Sequence, residues 1–329
     1  MRKIVKTSLI SLLSVFAISV TAYGVNGTTK MADAATAESV KVTGDFVMKT
    51  GGAVRKEAPT GIRFSTYVKE SVYDETYTYG TLIYPAELLG DNALTVETQD
   101  VMDIRTDVWA ESDAEGYKLY HAVLTKIPEE YYGTELVARS YVFSNETYTY
   151  VEETQTRSIA QVAASALANG EKDSADNLLA NYVDKTVTSF SLNTTEKQSL
   201  KAGDTFTLVA QVEPAGYAVG WKTSNDSVAQ VKDGVVTAVG AGTATITATL
   251  GSQSICCEVE VGARQFNNVG EISINEATGA LTWDKASATD NAEFYADKYE
   301  VTITDENGNA TTYNVFDNEY CPYTFFNRV

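Results

Sequence analysis

The chain has 329 residues, a formal net charge of −19, three cysteines and one histidine. Such an excess of acid repels nucleic-acid phosphates and anionic lipid, so we expect neither nucleic-acid nor membrane-surface binding. A single histidine excludes histidine-rich metal sites, and the spacing of Cys256, Cys257 and Cys321 fits neither a zinc motif nor a disulfide framework. We therefore expect no metal and no cofactor.

The first 35 residues have the order of a secretory signal peptide. Arg2, Lys3 and Lys6 precede an apolar run over residues 9–20, and small residues such as Ala32-Asp33-Ala34 follow. The run is shorter than the roughly 20 residues that a membrane-spanning helix needs. The pattern predicts a signal peptide at residues 1–35, a secreted or cell-surface protein, and no membrane insertion after cleavage.

Residues 41–183 are predicted to form a tyrosine-rich β-domain that ends in two helices. Residues 62–68 and 119–124 alternate between apolar and polar side chains, and residues 136–152 read as a hairpin with its turn at Ser144-Asn145. The period then changes to that of amphipathic helices. The apolar stripes are Ile159, Val162, Ala163, Ala166 and Leu167, and then Ala175, Leu178, Leu179, Tyr182 and Val183. We expect both stripes to pack on the preceding β-domain; the alternative is a partner-binding helix.

Residues 184–262 alternate with period two in short segments separated by turn residues, which predicts a β-sandwich. Asp233-Gly234 between two valine-containing strands predicts a hairpin. The alternation places Trp221 inward, between two sheets, and Cys256 outward. The predicted core residues are Trp221, Val219, Phe206, Ile246 and Cys257. Ser224, Asn225 and Asp226 then form a corner after the tryptophan strand.

This middle segment resembles the bacterial immunoglobulin-like domain of group 2 over about residues 187–262. The resemblance rests on "SLKAGDTFTLVAQVEP", "VGWKTSNDSVAQV", "GVVTAVGAGTATITA" and "CEVEV". It implies a β-sandwich of the kind found in bacterial surface proteins, where such modules act in adhesion or as spacers. It brings no catalytic residues.

Residues 266–329 weakly resemble a fibronectin type III module, with Trp283 on one strand and Tyr299, Val301 and Ile303 on the next. Such modules need about 90 residues, so the later strands are expected to be missing. The fold class is therefore mainly β, with tandem immunoglobulin-like sandwich modules and a helical pair between the first and second domains.

The sequence supports three hypotheses for function. The favoured one is a non-catalytic exported or surface protein, whose immunoglobulin-like modules act as a spacer or adhesion scaffold; the N-terminal domain also resembles modules of exported Gram-positive proteins. The alternative is a carbohydrate-binding accessory region of a polysaccharide-degrading protein, with candidate stacking residues Trp109, Tyr131, Tyr132, Tyr148 and Tyr150. The third is an enzyme in the N-terminal domain, although His121 reads as structural and paired acids such as Glu152-Glu153 as solvated. Expected partners are an extracellular glycan or a cell-surface protein.

Overall fold

Two antiparallel sheets form the N-terminal domain in a computed structural model, which describes residues 31–33, 42–275, 280–296, 298–304, 310–316 and 319–320. The strands are β1 Met31–Asp33, β2 Phe46–Met48, β3 Ala53–Arg55, β4 Gly61–Lys69, β5 Thr78–Pro85, β6 Met102–Thr106, β7 Tyr117–Thr125, β8 Leu136–Ser144, β9 Thr147–Tyr150 and β10 Gln155–Arg157. Most of the predicted signal peptide lies outside the described residues; β1, which falls within it, pairs with β3.

Each sheet is built around long central strands. In the first, β7 pairs with the whole of β4, while β3 and β2 pair in succession with the other side of β4. In the second, β5 lies between β6 and β8, and β9 and β10 pair in succession with the far side of β8. Strands β2 and β9 therefore lie at sheet edges, each with one paired side.

The two sheets enclose an apolar core that also contains a line of hydroxyl groups. Thr66 of β4, Ser140 of β8 and Thr81 of β5 have no exposed surface. The Ser140 Oγ lies 2.7 Å from the Thr66 Oγ1 and 2.8 Å from the Thr81 Oγ1. A buried hydroxyl without a partner is costly, so these three side chains satisfy one another across the space between the sheets.

Two helices close one end of this domain. The helices among the described residues are α1 Ala86–Leu89, α2 Ile159–Ala168 and α3 Leu178–Asp184, with a 3-10 turn at Glu129–Tyr131. Ser158 and Gln161 form a capping box at the start of α2. The apolar faces of α2 and α3 belong to the same buried cluster as Ile62, Phe64 and Ile83 of the sheets. This confirms that the helical pair packs on the β-domain.

The middle domain is a sandwich of short strands. Its strands are β11 Ser189–Leu192, β12 Gln198–Lys201, β13 Thr205–Thr207, β14 Ala210–Glu213, β15 Gly220–Thr223, β16 Ala229–Lys232, β17 Val235–Ala238, β18 Gly242–Leu250 and β19 Gln253–Gly262. They form the sheets β11-β14, β12-β19-β18-β15 and β13-β17-β16. Asp233 and Gly234 both have positive φ, at 50° and 81°, and join β16 to β17 as the predicted hairpin. The mainly β class with a helical pair is confirmed.

The described part of the C-terminal segment contains strands of two to six residues in two small sheets. These are β20 Ser273–Ile274, β21 Leu281–Thr282, β22 Tyr299–Thr304, β23 Ala310–Val315 and β24 Glu319–Tyr320, in the sheets β20-β21-β24 and β22-β23. Trp283 follows β21, is buried, and lies edge-on to Tyr299 with 5.4 Å between ring centroids. Val301 is half-buried. The side chain of Ile303 and Cys321 lie outside the description, and the fibronectin resemblance stays a prediction.

Candidate functional site

The five aromatic residues predicted to stack on sugars lie in three separate places. Tyr131 and Tyr132 lie beside the helical pair, Trp109 lies among other rings between the sheets, and Tyr148 and Tyr150 lie on the edge strand β9. Tyr132 is only 3% exposed and meets Tyr182 edge-on at 4.9 Å, so its ring has no face open to a ligand. This corrects its assignment as a stacking residue. Tyr131 is half-buried and lines a small apolar cavity.

Trp109 is held in a cluster of rings. Its indole lies edge-on to Tyr73, Tyr79 and Tyr120, with centroid separations of 5.0, 5.2 and 5.5 Å. The ammonium of Lys118 lies 4.3 Å from the centroid of the Tyr73 ring, which adds a cation–π contact. Because its indole packs against three tyrosine rings, Trp109 is best explained as part of the packing and not as an open stacking platform.

Tyr148 and Tyr150 are half-exposed neighbours on the outer face of the second sheet. Their rings are nearly parallel, 19° apart, with centroids 6.2 Å from each other. The Arg139 guanidinium lies 4.6 Å from the Tyr150 centroid, and the Tyr150 hydroxyl accepts the backbone N–H of Val96 at 3.2 Å. Of the five predicted residues, this pair alone forms a side-by-side set of accessible rings.

A groove lies beside Tyr150, on the open side of the sandwich where the two sheet edges face each other. Its volume is about 590 Å³. One wall is the segment from Val42 to Thr50, which contains β2, and the other wall runs from Thr149 to Glu153. The sequence gives no direct signal for this groove, because it arises from two edge strands about 100 residues apart in the chain.

Both walls of the groove present backbone groups that have no backbone hydrogen-bond partner among the described residues. Lys49 donates its N–H to the Ser65 carbonyl and Asp45 accepts from the Lys69 N–H, which fixes the hydrogen-bond alternation of β2. By that alternation the N–H and C=O groups of Phe46 and Met48 point away from β4. The bond from the Val151 N–H to the Ser140 carbonyl fixes the opposite wall in the same way. There, Tyr150 directs its backbone groups away from β8.

The charges at the groove are mainly acidic. Lys49 pairs with Asp113 at 2.8 Å, and Asp113 also accepts the Tyr67 hydroxyl at 2.5 Å. Desolvation raises the pKa of Asp113, but the hydrogen bonds from Lys49 and Tyr67 outweigh it, so that the pKa is lowered overall. Asp113 thus stays ionised and neutralises Lys49. Glu152 and Glu153 are exposed, and none of the ion pairs among the described residues includes them.

His121 lies on β7 and contacts Ser65 of β4. The Ser65 Oγ is 2.9 Å from the His121 Nδ1. Burial, together with the positive charges of Arg63 and Lys49, lowers the pKa of His121 to about 4, against the opposing effect of Asp113. The imidazole is therefore neutral at pH 7. Because Ser65 is only 8% exposed, this pair fits a structural hydrogen bond better than a nucleophile with its base.

The predicted core residues of the middle domain differ in how completely their side chains are buried. Ile246 and Cys257 are fully buried in one cluster with Val236, Val259 and Val261. Phe206 and Trp221 are half-buried and pack against that cluster, and Val219 is also half-buried. The sequence pattern predicts an indole enclosed between two sheets, whereas the ring of Trp221 keeps part of its surface in water.

Tyr217 and Leu250 of the middle domain are buried in the core cluster of the N-terminal domain, where they join the residues of α2 and α3. The turn that follows Leu250 also contacts α3, since Ser252 donates its N–H to the Asp184 carboxylate at 3.0 Å. Sequence reasoning missed this joint. A glycine in a turn, Gly251 with φ +59°, is the one signal for it, because a side chain there would collide with Val183 and Asp184.

A second contact joins the middle domain to the C-terminal segment through Arg264. The side chain of Arg264 is 4% exposed and pairs with both Asp204 and Asp290. It also donates to the Ala202 carbonyl at 2.8 Å and lies 4.1 Å from the centroid of the Phe294 ring. A guanidinium so enclosed needs all of these partners to offset its desolvation.

The described residues contain neither a grouped set of metal ligands nor a membrane-spanning helix. In the part of the chain that the structure describes, no three His, Cys, Asp or Glu side chains are grouped to hold a metal ion. Within the same residues, no helix combines the length and apolar character that crossing a bilayer requires.

Comparison with solved structures gives similarities at low scores. Domains 4 and 5 of the S-layer protein SbsC are 17% identical with a TM-score of 0.20, and the match covers 38% of this chain and 64% of that one. A longer SbsC structure, residues 31–844, is 14% identical with a TM-score of 0.23 and covers 90% and 37%. A C-terminal 282-residue fragment of intimin, solved with the intimin-binding domain of its translocated receptor, is 12% identical with a TM-score of 0.23 and covers 79% and 87%.

Comparison with sequence families gives a match over the middle domain. No curated protein matches the chain. The family model of the bacterial Ig-like domain (group 2) matches residues 186–260, which is about a quarter of the chain. The match agrees with the boundaries of the β-sandwich from β11 to β19 and confirms the resemblance seen in the sequence. Residues 186–260, the middle domain of this chain, are therefore similar in sequence to the bacterial Ig-like domain of group 2.

Proposed function

We propose that this chain is a non-catalytic protein of the bacterial exterior, in which the Ig-like domain holds the N-terminal sandwich in a fixed orientation as a binding domain. The observation that carries this proposal is the shared core at the first joint. Tyr217 and Leu250 of the Ig-like domain are buried with the helices α2 and α3 of the N-terminal domain.

A shared core distinguishes a rigid spacer from a flexible tether. Domains joined by a bare linker move independently, whereas buried apolar contacts at the boundary restrict that motion. Here Leu250 is 2% exposed and Tyr217 is 9% exposed, and the Ser252–Asp184 hydrogen bond adds a polar contact beside them. The Ig-like domain thus serves as a support, and ligand recognition is assigned to the N-terminal domain with its groove and accessible rings.

Fractionation of the producing cell tests the location. The full chain should appear in the medium or be removed from intact cells by added protease, because the sequence pattern at residues 1–35 predicts export. Recovery of the intact chain in the cytoplasmic fraction alone would contradict the proposal.

Distance measurements by electron spin resonance test the rigid support. One spin label goes on the exposed native Cys256 and the second on an exposed cysteine introduced by Thr147→Cys, with Cys321→Ser to prevent a third label. Cys257 is 1% exposed and should remain unlabelled. A single narrow distance distribution is expected; a broad one would show that the two domains move freely.

A second candidate function is carbohydrate binding, and the Tyr148–Tyr150 pair favours it. Two half-exposed, nearly parallel rings on an edge strand can each receive the apolar face of a neutral sugar. Retention on an insoluble polysaccharide, and its loss in Tyr148→Ala and Tyr150→Ala but not in Tyr73→Ala, would support this function. Equal retention of all variants would exclude this pair as the sugar site.

A further inference from the structure

We propose that the groove between β2 and the end of β9 binds an extended basic peptide segment of a partner protein, which adds a strand to the two sheet edges. This proposal rests on the proposed function, since it takes the N-terminal sandwich as the binding domain, and it names the chemical class of the partner.

The backbone of the groove walls provides the first argument. Phe46 and Met48 on one wall, and Tyr150 on the other, direct their N–H and C=O groups away from their own sheets. An extended peptide offers donors and acceptors on both of its sides in the same alternation. It is therefore matched to a space between two edge strands, and strand addition is an established mode of peptide recognition.

The apolar side chains at the floor of the groove indicate the character of every second residue of the bound peptide. Met48 is 4% exposed and Val151 is 2% exposed, and Phe46 packs on the core beside them. Side chains of an extended peptide alternate between two faces. Those that face the floor should therefore be apolar, with β-branched residues such as valine favoured by the extended conformation.

The charges at the rim of the groove indicate the character of the remaining peptide residues, whose side chains point outward. The exposed carboxylates of Glu152 and Glu153 carry the charge of one wall, whereas Asp45 is paired with Lys69 and Lys49 with Asp113. Lysine or arginine at the outward positions of the peptide would meet these two free carboxylates. The net charge of −19 on the whole chain would also attract a basic partner and repel an acidic one.

The length of edge strand fixes the size of the bound segment. Strand β2 has three residues, and the opposite wall supplies five, from Thr149 to Glu153. At about 3.3 Å per residue, this edge pairs with a segment of roughly four to six residues. A groove of about 590 Å³ is of the size that a short peptide backbone with two or three floor-facing side chains can enter.

The test uses the full chain and a blocked synthetic heptapeptide of alternating lysine and valine, with binding followed by fluorescence anisotropy. Two comparison peptides accompany it, one of alternating glutamate and valine and one the same lysine–valine peptide N-methylated at its valines, together with a mixture of free lysine and valine. We expect saturable binding of the first peptide alone, because N-methylation removes the donors to one wall. Amide chemical shifts should change at Phe46, Met48, Tyr150 and Glu152.

Charge variants add a matched comparison. The double variant Glu152→Gln, Glu153→Gln should weaken binding about three- to tenfold and reduce its salt dependence. Glu75→Gln removes an exposed acid outside the groove and should leave binding unchanged.

Several outcomes would overturn the proposal. These are no saturable binding up to about 1 mM, equal binding of the N-methylated or the glutamate peptide, or shift changes confined to other residues. Displacement of the peptide by a neutral oligosaccharide would assign the groove to sugar, and a self-associated dimer that excludes the peptide would assign it to a second copy. A narrow spin-label distance together with absent peptide binding would reject the groove and leave the proposed function standing.

Discussion

Tyr217 of the Ig-like domain donates its hydroxyl hydrogen to the Oγ1 of Thr186 across 2.9 Å, at the point where the chain passes from the helical pair into the first strand of the sandwich. The ring of Tyr217 is 9% exposed and lies in the core cluster of the N-terminal domain. One side chain thus belongs by sequence to the middle domain and by packing to the domain before it. The boundary between the two domains is a packed interface, so substitutions at this interface should change the stability of both domains.

Leu250→Ala should destabilise the N-terminal domain although Leu250 lies in the Ig-like domain. Its side chain is 2% exposed within the shared core, and truncation of a buried leucine costs about 2–5 kcal/mol of the free energy of unfolding. Urea denaturation followed by a probe in each domain measures this. Val235→Ala, at a position 44% exposed, is the control and should change the stability by less than about 0.5 kcal/mol. A normal midpoint for the N-terminal domain in Leu250→Ala would show that the interface contributes nothing.

Sequence patterns predict the strands of the middle domain well because one face of each strand is exposed to solvent and the other is buried. In β18, Ala244, Ile246, Ala248 and Leu250 are buried, as the alternation with threonine indicates. The pattern does not reveal the depth of burial, and Trp221 illustrates this. Its inward direction follows from parity, but the half-exposed state of the ring depends on how far the neighbouring sheet extends over it.

The groove and the joint are harder to predict because they depend on distant parts of the chain. The groove needs the relative position of β2 and β9, and the joint needs the orientation of the Ig-like domain on α3. Neither is encoded in a local period. The clustered tyrosines indicate aromatic contacts, but the difference in burial between Tyr132 and the accessible Tyr148 and Tyr150 is seen only in the folded structure.

Ile246→Ala and Trp221→Ala should destabilise the Ig-like domain to different extents. Ile246 is fully buried, so that its truncation leaves a cavity and costs about 2–5 kcal/mol. Trp221 is half-buried, so part of its surface is in water in both states, and we expect a loss of about 2 kcal/mol. Thermal or urea unfolding of both variants shows which substitution lowers the stability more. A larger loss for Trp221→Ala would show that the ring is enclosed, as the strand parity alone predicts.

His121 should titrate far below an ordinary histidine. Its pKa is lowered from 6.5 to about 4 by burial and by Arg63 and Lys49, whereas a histidine in the unfolded chain titrates normally. As the pH falls below about 6.5, the unfolded chain takes up the proton first, so stability is full above that pH and declines towards pH 4. The free energy of unfolding therefore falls by less than about 3 kcal/mol, because the ring keeps some contact with water.

Proton NMR measures this titration directly, because the chain has one histidine and therefore one set of imidazole signals. His121→Gln should flatten the dependence of the unfolding midpoint on pH between 6.5 and 4. A midpoint of the imidazole signal near 6.5 would contradict the buried environment.

Cys256 and Cys257 should differ in their reaction with a thiol reagent. Cys256 is exposed on the outer face of β19, while Cys257 is 1% exposed and burial raises the pKa of its thiol. Less thiolate and less access both slow the reaction of Cys257. Brief alkylation of the native chain, followed by peptide mass mapping, should find the label on Cys256. Label on Cys257 first would mean that the strand is shifted by one residue, which exchanges its two faces.

Arg264→Ala should release the C-terminal segment from the Ig-like domain. The guanidinium is 4% exposed between Asp204 and Asp290, and its removal deprives Asp204 of its cation while Asp290 keeps its ion pair with Lys201 at 2.8 Å. It also removes the contact with the Phe294 ring and the hydrogen bond to Ala202. Both carboxylates are part-exposed, at 38% and 29%, so the cost lies below the roughly 3–5 kcal/mol of a fully buried pair, but the short strands β20 to β24 are expected to have little stability of their own.

Limited proteolysis read by mass spectrometry gives the result for Arg264→Ala. Cleavage should begin after residue 264 in the variant, while residues 42–262 stay intact, because the shared core of the first two domains does not include Arg264. Lys285→Ala, which removes an exposed cation from the same segment, is the control and should be cleaved like the native chain. Arg264→Lys should give an intermediate rate, since a lysine keeps the charge but cannot bond both carboxylates and stack on Phe294 at once. Native resistance in Arg264→Ala would show that the segment is stabilised by its own packing, without the link to Asp204.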